Sequence, residues 1–234
     1  MAETIIKGYL INKINYHLND EIITFIGVDG IKYTCISLGS KKINSKNARN
    51  LFIGSLIEFE FFKARRSDKI SKLKKCHIIE SIDWKMEQYT PFNLLCECVN
   101  KEQSYDSILF DFYKTLLDLV KKDEYCEEEK ILIILHKFCI INGISLHVDS
   151  CIECNSPILK TISFKKHGML CNVHFDRKTD KLYDLNLTKL FFYLFKNKYS
   201  ELKKYHSQFK NGINLLKTYI QDNVGIYLST LNSY

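Results

Sequence analysis

Two short pairs of metal-ligating residues constrain this chain more than any other feature: Cys151-Ile-Glu-Cys154 and, after sixteen intervening residues, Cys171-Asn-Val-His174. A pair with two residues between its ligands folds into a knuckle that presents both to one ion, and two such pairs at this interval have zinc-site spacing. Four protein ligands close a tetrahedral shell, so the expected Zn2+ is structural; a catalytic ion needs an open position. Asn155 stands where a knuckle calls for a left-handed residue, and Asn tolerates that conformation better than most. Between the pairs, Ile158–Phe164 and the polar turn Lys165-Lys166-His167-Gly168 read as two short strands that bring the knuckles together. His147 and His167 are spare ligands, either of which could replace His174 if the hairpin folds differently. Without a metal, the same four groups are merely scattered along a loop.

The other six cysteines, Cys35, Cys76, Cys96, Cys98, Cys126 and Cys139, lack ligand spacing and read as small buried hydrophobes with reduced thiols. The opening Met1-Ala-Glu-Thr-Ile-Ile-Lys-Gly has neither a basic start nor a long apolar run, so no signal peptide is expected. No apolar stretch approaches the roughly 18 uncharged residues of a membrane span. Ile131–Ile144 and Leu185–Phe195 are short and interrupted by charge. The expectation is a soluble cytoplasmic protein with no membrane partner. Of its 234 residues 46% are hydrophobic and 26% charged, which excludes a fully disordered chain.

The net charge of +7 is segregated. Residues 1–80 carry 14 Lys and Arg against 8 Asp and Glu, residues 81–150 carry 7 against 13, and residues 151–234 carry 13 against 6. Positive segments flanking an acidic one suit a polyanion, although a coding bias toward Lys would also raise the charge.

The first eighty residues read as five strands: Thr4–Lys13, Glu21–Gly27, Ile31–Leu38, Gly54–Lys63 and Ile70–Ser81. Asn19-Asp20 closes the first gap. Asp29-Gly30 predicts a type I′ hairpin, in which two residues accept positive φ. Glu58 and Glu60 alternate with Ile57, Phe59 and Phe61, giving one wet and one apolar face. Five strands with a long connection after the third match an OB-type barrel; an SH3-like barrel or small sandwich would give similar signals. After Trp84 the period becomes helical. Helices are expected from Pro91, over Asp106–Lys121 with Ile108 on its apolar stripe, from Cys126 to Gly143, over Leu185–Phe195, and over Gln208–Leu231. The carboxylates of Glu127-Glu128-Glu129 suit a helix start and are expected to be solvated.

The fold class is therefore α+β, an N-terminal five-stranded OB-type barrel followed by a mainly helical domain with an inserted zinc-binding hairpin. The expected divisions are residues 1–82 for the barrel, 83–147 and 181–234 for the helical domain, and 148–180 for the zinc module.

Beside the barrel, Lys41, Lys42, Lys46 and Arg49 fall in one connection, and Lys63, Arg65 and Arg66 open the next hairpin. Cations in barrel loops follow a phosphate backbone and give affinity by counterion release. A solvated loop is the plainer reading of the same residues. Among the interleaved aromatics, Tyr16 and Tyr33 are the expected outward stacking platforms. No phosphate loop, dinucleotide fingerprint, HExxH or deaminase motif occurs, so an enzyme is not expected.

Several segments, taken in order, resemble the bacterial DNA repair protein RecO family. Ile5–Ile11 looks like that family's first strand, and Tyr16-His-Leu-Asn-Asp-Glu-Ile-Ile-Thr24 resembles its "Y-x-E-x-D-x-I-x-T" segment. Leu38-Gly-Ser-Lys-Lys42 stands at its basic loop, Ile134–Gly143 resembles the helix before its zinc motif, and Leu215-Leu-Lys-Thr-Tyr219 its closing helix. The family's usual ligand set is four cysteines, and here His174 takes the fourth place. The resemblance implies a nucleoid-associated mediator of repair and recombination. Such a protein binds single- and double-stranded DNA, anneals complementary strands and, with RecR, helps load RecA onto DNA coated by single-strand-binding protein (SSB). The acidic SSB tail is expected near Lys203, Lys204 and Lys210. The alternative is a zinc-containing RNA-binding or adaptor module of translation or transcription.

Overall fold

The computed structural model describes residues 3–64, 69–102 and 107–234. The chain forms two compact units, Met1–Met86 with Leu95–Lys121, and Glu87–Leu94 with Lys122–Tyr234.

The first unit is built on a closed barrel of β1 (Glu3–Tyr16), β2 (Asp20–Gly27), β3 (Lys32–Ser37), β4 (Leu56–Phe62) and β5 (Ser71–Glu80). Its order, β1-β2-β3-β5-β4 and back to β1, is that of an OB-type barrel. All pairs are antiparallel except β3 with β5, which meet only at Cys35↔Ser71 and Ile36↔Lys72. Alternation does what the sequence predicts in β4, where Ile57, Phe59 and Phe61 are fully buried and Glu58 and Glu60 lie on the wetter face. Phe25 stacks on Phe59 with ring centroids 3.8 Å apart, and Phe61 meets it edge-on at 5.7 Å. Gly8 is required where β1 crosses β2, because a Cβ there would lie 2.5 Å from the Ile26 carbonyl oxygen.

The turn after β2 departs from the type I′ expectation. Gly30 takes φ +78°, but Asp29 does not adopt positive φ. Its carboxylate instead accepts hydrogen bonds from the Ile31 N–H at 3.1 Å and the Tyr33 hydroxyl at 2.7 Å. Those bonds hold Asp29 in a wider turn, a local competition that Asp commonly wins.

Two helices complete this unit's described part, α1 (Tyr89–Lys101), whose first turns belong to the second unit, and α2 (Ser107–Lys121). The expected first residue of α2, Asp106, lies outside the described residues. Leu109, Tyr113, Leu116, Leu117 and Val120 are buried, and the Tyr113 ring lies 5.2 Å from that of Tyr9 on β1. Ile108, expected on the same stripe, is exposed. The Lys32 ammonium binds the carbonyls of Val99 and Asn100, each at 3.1 Å, and that of Glu102. It thus neutralises the negative end of α1.

The second unit contains α3 (Glu127–Ile141), the short hairpin β6 (Thr161–Ser163) and β7 (Gly168–Leu170), α4 (Leu185–Phe195) and α5 (Phe209–Val224), with a 3-10 segment over Tyr199–Gln208. Helix α3 ends at Gly143, φ +69°, as its sequence predicts. Its start differs from expectation. Glu129 is buried, and its carboxylate accepts from the Cys126 N–H at 2.9 Å, so the third glutamate caps the helix while Cys126 is exposed. Helix α5 stops at Gly225, φ +74°, short of the predicted Leu231, and Tyr227 is exposed.

Candidate metal centre and nucleic-acid interface

The hairpin β6–β7 lies between the two ligand pairs and pairs Thr161 with Leu170 through Ser163 with Gly168. Each knuckle is closed by its own backbone: the Asn155 N–H donates to the Cys151 carbonyl at 2.8 Å, and the Phe175 N–H to the Cys171 carbonyl at 3.1 Å. Asn155 takes φ +59°, the left-handed position its sequence context demands.

Cys151, Cys154, Cys171 and His174 converge with all four ligand atoms within 4.8 Å of one another. The Cys154 and Cys171 sulfurs are 3.8 Å apart, and the His174 Nδ1 lies 3.3 Å from the Cys171 sulfur and 3.8 Å from that of Cys151. A tetrahedron with Zn–S arms of about 2.3 Å has edges of about 3.8 Å, so the arrangement has the dimensions of a zinc shell. His147 and His167 stand apart, paired with Ser150 and Tyr219.

The electrostatics also fit a cation. Burial pushes the Cys151 thiol up, but backbone N–H groups of Cys171, Glu153 and Cys154 outweigh it and bring it down to about 6. The His174 N–H likewise holds Cys171 below its ordinary value, and the bond to Cys171 raises His174. The Ser156 N–H lowers Cys154, yet burial and the sulfurs of Cys151 and Cys171 together raise it. Three thiolates this close repel one another unless a divalent ion sits among them.

The barrel carries the second candidate surface. Lys41, Lys42, Lys46 and Arg49 are all exposed in the connection between β3 and β4, and none forms an ion pair among the described residues. This connection is an ordered structure. The Gly39 N–H donates to the Asp20 carboxylate at 2.7 Å, the Lys41 N–H to the Asn19 carbonyl at 3.0 Å, and the buried Ser40 hydroxyl to the Ser37 carbonyl at 3.0 Å. Asn47 ties its far end to β5, accepting from the Cys76 N–H at 3.2 Å. Sequence reasoning missed this anchor because nothing local marks a contact across 29 residues.

Lys63 is exposed just beyond β4; Arg65 and Arg66 lie outside the described residues. Lys74 is compensated by Glu3 at 2.8 Å and by Glu60. Tyr16 is 38% exposed, but Tyr33 is a correction to the expected platforms. It packs into the barrel core beside Phe25, because its hydroxyl finds Asp29 at the rim.

In the second unit, Lys203 lines a cavity of about 540 Å³ with Glu87, Asp123, Glu124, Glu127 and Glu129 among its walls, and its ammonium donates to the Glu124 carbonyl at 3.0 Å. Lys204 pairs with Glu201 at 2.6 Å, and Lys210 is exposed at the start of α5. No helix among the described residues is long and apolar enough to cross a membrane.

A closed five-stranded barrel combined with a helical unit bearing a Cys3His cluster defines an OB-barrel protein with an inserted metal-binding hairpin. Comparison with known proteins narrows the class. Residues 87–231 match the family model described as "Recombination protein O C terminal". Proteins named "DNA repair protein RecO" from Mesoplasma florum and from Mycoplasma mycoides subsp. mycoides are 24% and 27% identical; the alignments cover 99% and 98% of this chain, and 90% and 96% of theirs. One of the same name from Mycoplasma capricolum subsp. capricolum is 28% identical over 72% of this chain and 71% of its own. The chain belongs to the recombination protein O family, whose role is in DNA repair and recombination.

Proposed function

We propose that this protein is a recombination mediator of the bacterial nucleoid that binds single- and double-stranded DNA through its barrel and anneals complementary strands. The observation that carries this reading is the anchored connection after β3, with four exposed cations and no carboxylate paired to them among the described residues. Lysines held this way attract phosphates without reading bases. Two strands bound loosely on such a surface have their mutual repulsion screened while their bases stay free to pair. Lys63, exposed just beyond β4, would add a phosphate contact, and Arg65 and Arg66, next in sequence, would add others.

The role needs no catalytic residue. Cys151, Cys154, Cys171 and His174 would hold Zn2+, whose contribution is to cross-link two knuckles and so fix the hairpin between α3 and α4. In the cell the protein would act with RecR to help load RecA onto SSB-coated DNA. The acidic SSB tail would meet Lys204 and Lys210 more readily than Lys203, whose surroundings are dominated by carboxylates.

The test is annealing of complementary oligonucleotides followed by fluorescence at two salt concentrations, with and without SSB. Salt-sensitive acceleration that persists on SSB-coated strands supports the mediator reading. Binding of structured RNA with no annealing of DNA would favour an RNA-binding adaptor instead.

A further inference from the structure

Two large aliphatic side chains stand in water on the same rim of the barrel as the basic connection. Leu18, in the β1–β2 turn, is 86% exposed, and Ile43, between Lys42 and Asn44, is 100% exposed. Leaving both in water forgoes the apolar burial that stabilises the rest of the barrel. The loops that hold them are clipped to each other by the Lys41 N–H on the Asn19 carbonyl and the Gly39 N–H on the Asp20 carboxylate. Chain geometry then keeps the two Cα atoms within about 18 Å, roughly half a turn of duplex.

We propose that Leu18 and Ile43 are wedges that insert between base steps of bound DNA. The inference rests on the DNA-binding reading and adds to it a mechanism of local unstacking. Three features on this rim favour nucleic acid as the occupant. The charges beside Ile43 are all positive: Lys41 and Lys42 directly precede it, and Lys46 and Arg49 follow it; beside Leu18, the Asp20 carboxylate is engaged by the Gly39 N–H. The β1–β2 turn is one of the loops by which OB-type barrels hold oligonucleotides. Aliphatic side chains flanked by cations are also the type that pries base steps apart, whereas sequence-tolerant stacking on single strands uses aromatic faces. Tyr16, beside this turn, is engaged edge-on by the His17 ring at 4.1 Å and is less exposed than either Leu18 or Ile43.

An annealing protein gains from such wedges. A duplex misaligned by partial complementarity is opened at the contacted steps and can re-pair, while the phosphates stay bound to the lysines.

The test compares the whole protein with the double variant Leu18→Ser and Ile43→Ser, on a duplex carrying 2-aminopurine, whose fluorescence rises on unstacking. Both side chains are exposed, so the variant folds; an unchanged melting temperature verifies this. The wild type is expected to raise the fluorescence on binding and the variant to bind with the same salt dependence but no rise. A pair of conservative changes, Leu18→Met with Ile43→Leu, should restore the signal. If the wild type binds and anneals DNA but gives no rise, or the Ser variant gives the same rise, the wedge is wrong and the DNA-binding reading stands. If the wild type does not bind DNA at all, the DNA-binding reading itself fails. Binding to vesicles of equal phosphatidylcholine and phosphatidylglycerol that depends on Leu18 and Ile43, with no unstacking, would overturn the wedge in favour of a lipid surface.

Discussion

The side-chain carbonyl of Asn47 accepts a hydrogen bond from the backbone N–H of Cys76 at 3.2 Å, and so joins the basic connection to β5. Its amide also reaches the Lys74 carbonyl at 3.4 Å. Asn47→Ala leaves every cation in place but frees the far end of the loop, at a cost of about 1 kcal/mol. The expected result is weaker DNA binding with an unaltered salt slope, measured by fluorescence anisotropy. Equal affinity would show that DNA does not require the loop to be held.

Neutralising Lys41, Lys42, Lys46 and Arg49 to Gln acts on a different quantity. Each lost phosphate contact removes about 0.7 to 0.9 from the slope of log K against log salt, so four lost contacts flatten it by roughly 3. An unchanged slope would move the phosphate-binding surface elsewhere.

Removing the metal tests the hairpin. The closed ligand set predicts that Cys154→Ser, or chelation, lowers stability without changing any chemical step. A loss on the order of 3 kcal/mol corresponds to a fall in Tm of about 6–12 °C for a chain of this size. Zinc content by mass spectrometry should fall from one ion per chain to none. Full stability after chelation would show that the hairpin holds without its cross-link.

His136 makes stability depend on pH. It is fully buried on α3, its Nδ1 lies 3.2 Å from the Tyr199 hydroxyl, and burial, helped by the Lys137 charge, pushes its pKa down to about 3. The folded protein therefore resists protonation that the unfolded chain accepts near pH 6.5. Its contribution is fully present above that value and is lost progressively as the pH falls toward 3, by up to roughly 4 kcal/mol. Denaturant melts between pH 7 and pH 4 should show a steeper decline for the wild type than for His136→Gln, which does not titrate. Parallel declines would assign the acid sensitivity to carboxylates.

Much of this was legible where chemistry is local. The alternation in β4, the Gly143 stop and the left-handed Asn155 each follow from a few consecutive residues, and the convergence of four residues that could hold a metal from two spacings. What stayed hidden depends on partners far away in sequence. Tyr33 looked as able as Tyr16 to face outward, and its burial is decided by Asp29 and by Phe25 on another strand. Glu129 was indistinguishable from its two neighbours until the helix start placed it, alone of the three, inside. The exposed Leu18 and Ile43 left a faint mark, single aliphatic residues amid polar turns.

The barrel is closed by a seam only two residue pairs long, Cys35↔Ser71 and Ile36↔Lys72. While it is shut, the seam occupies the stretch of β3 and β5 around Cys35, Ile36, Ser71 and Lys72, where a partner's added strand would otherwise pair. Once it parts, β3 and β5 become the two edges of an open sheet, and each can template the same strand in another copy. The shortest strand-to-strand seam of the barrel, among the described residues, thus also controls access to those two edges.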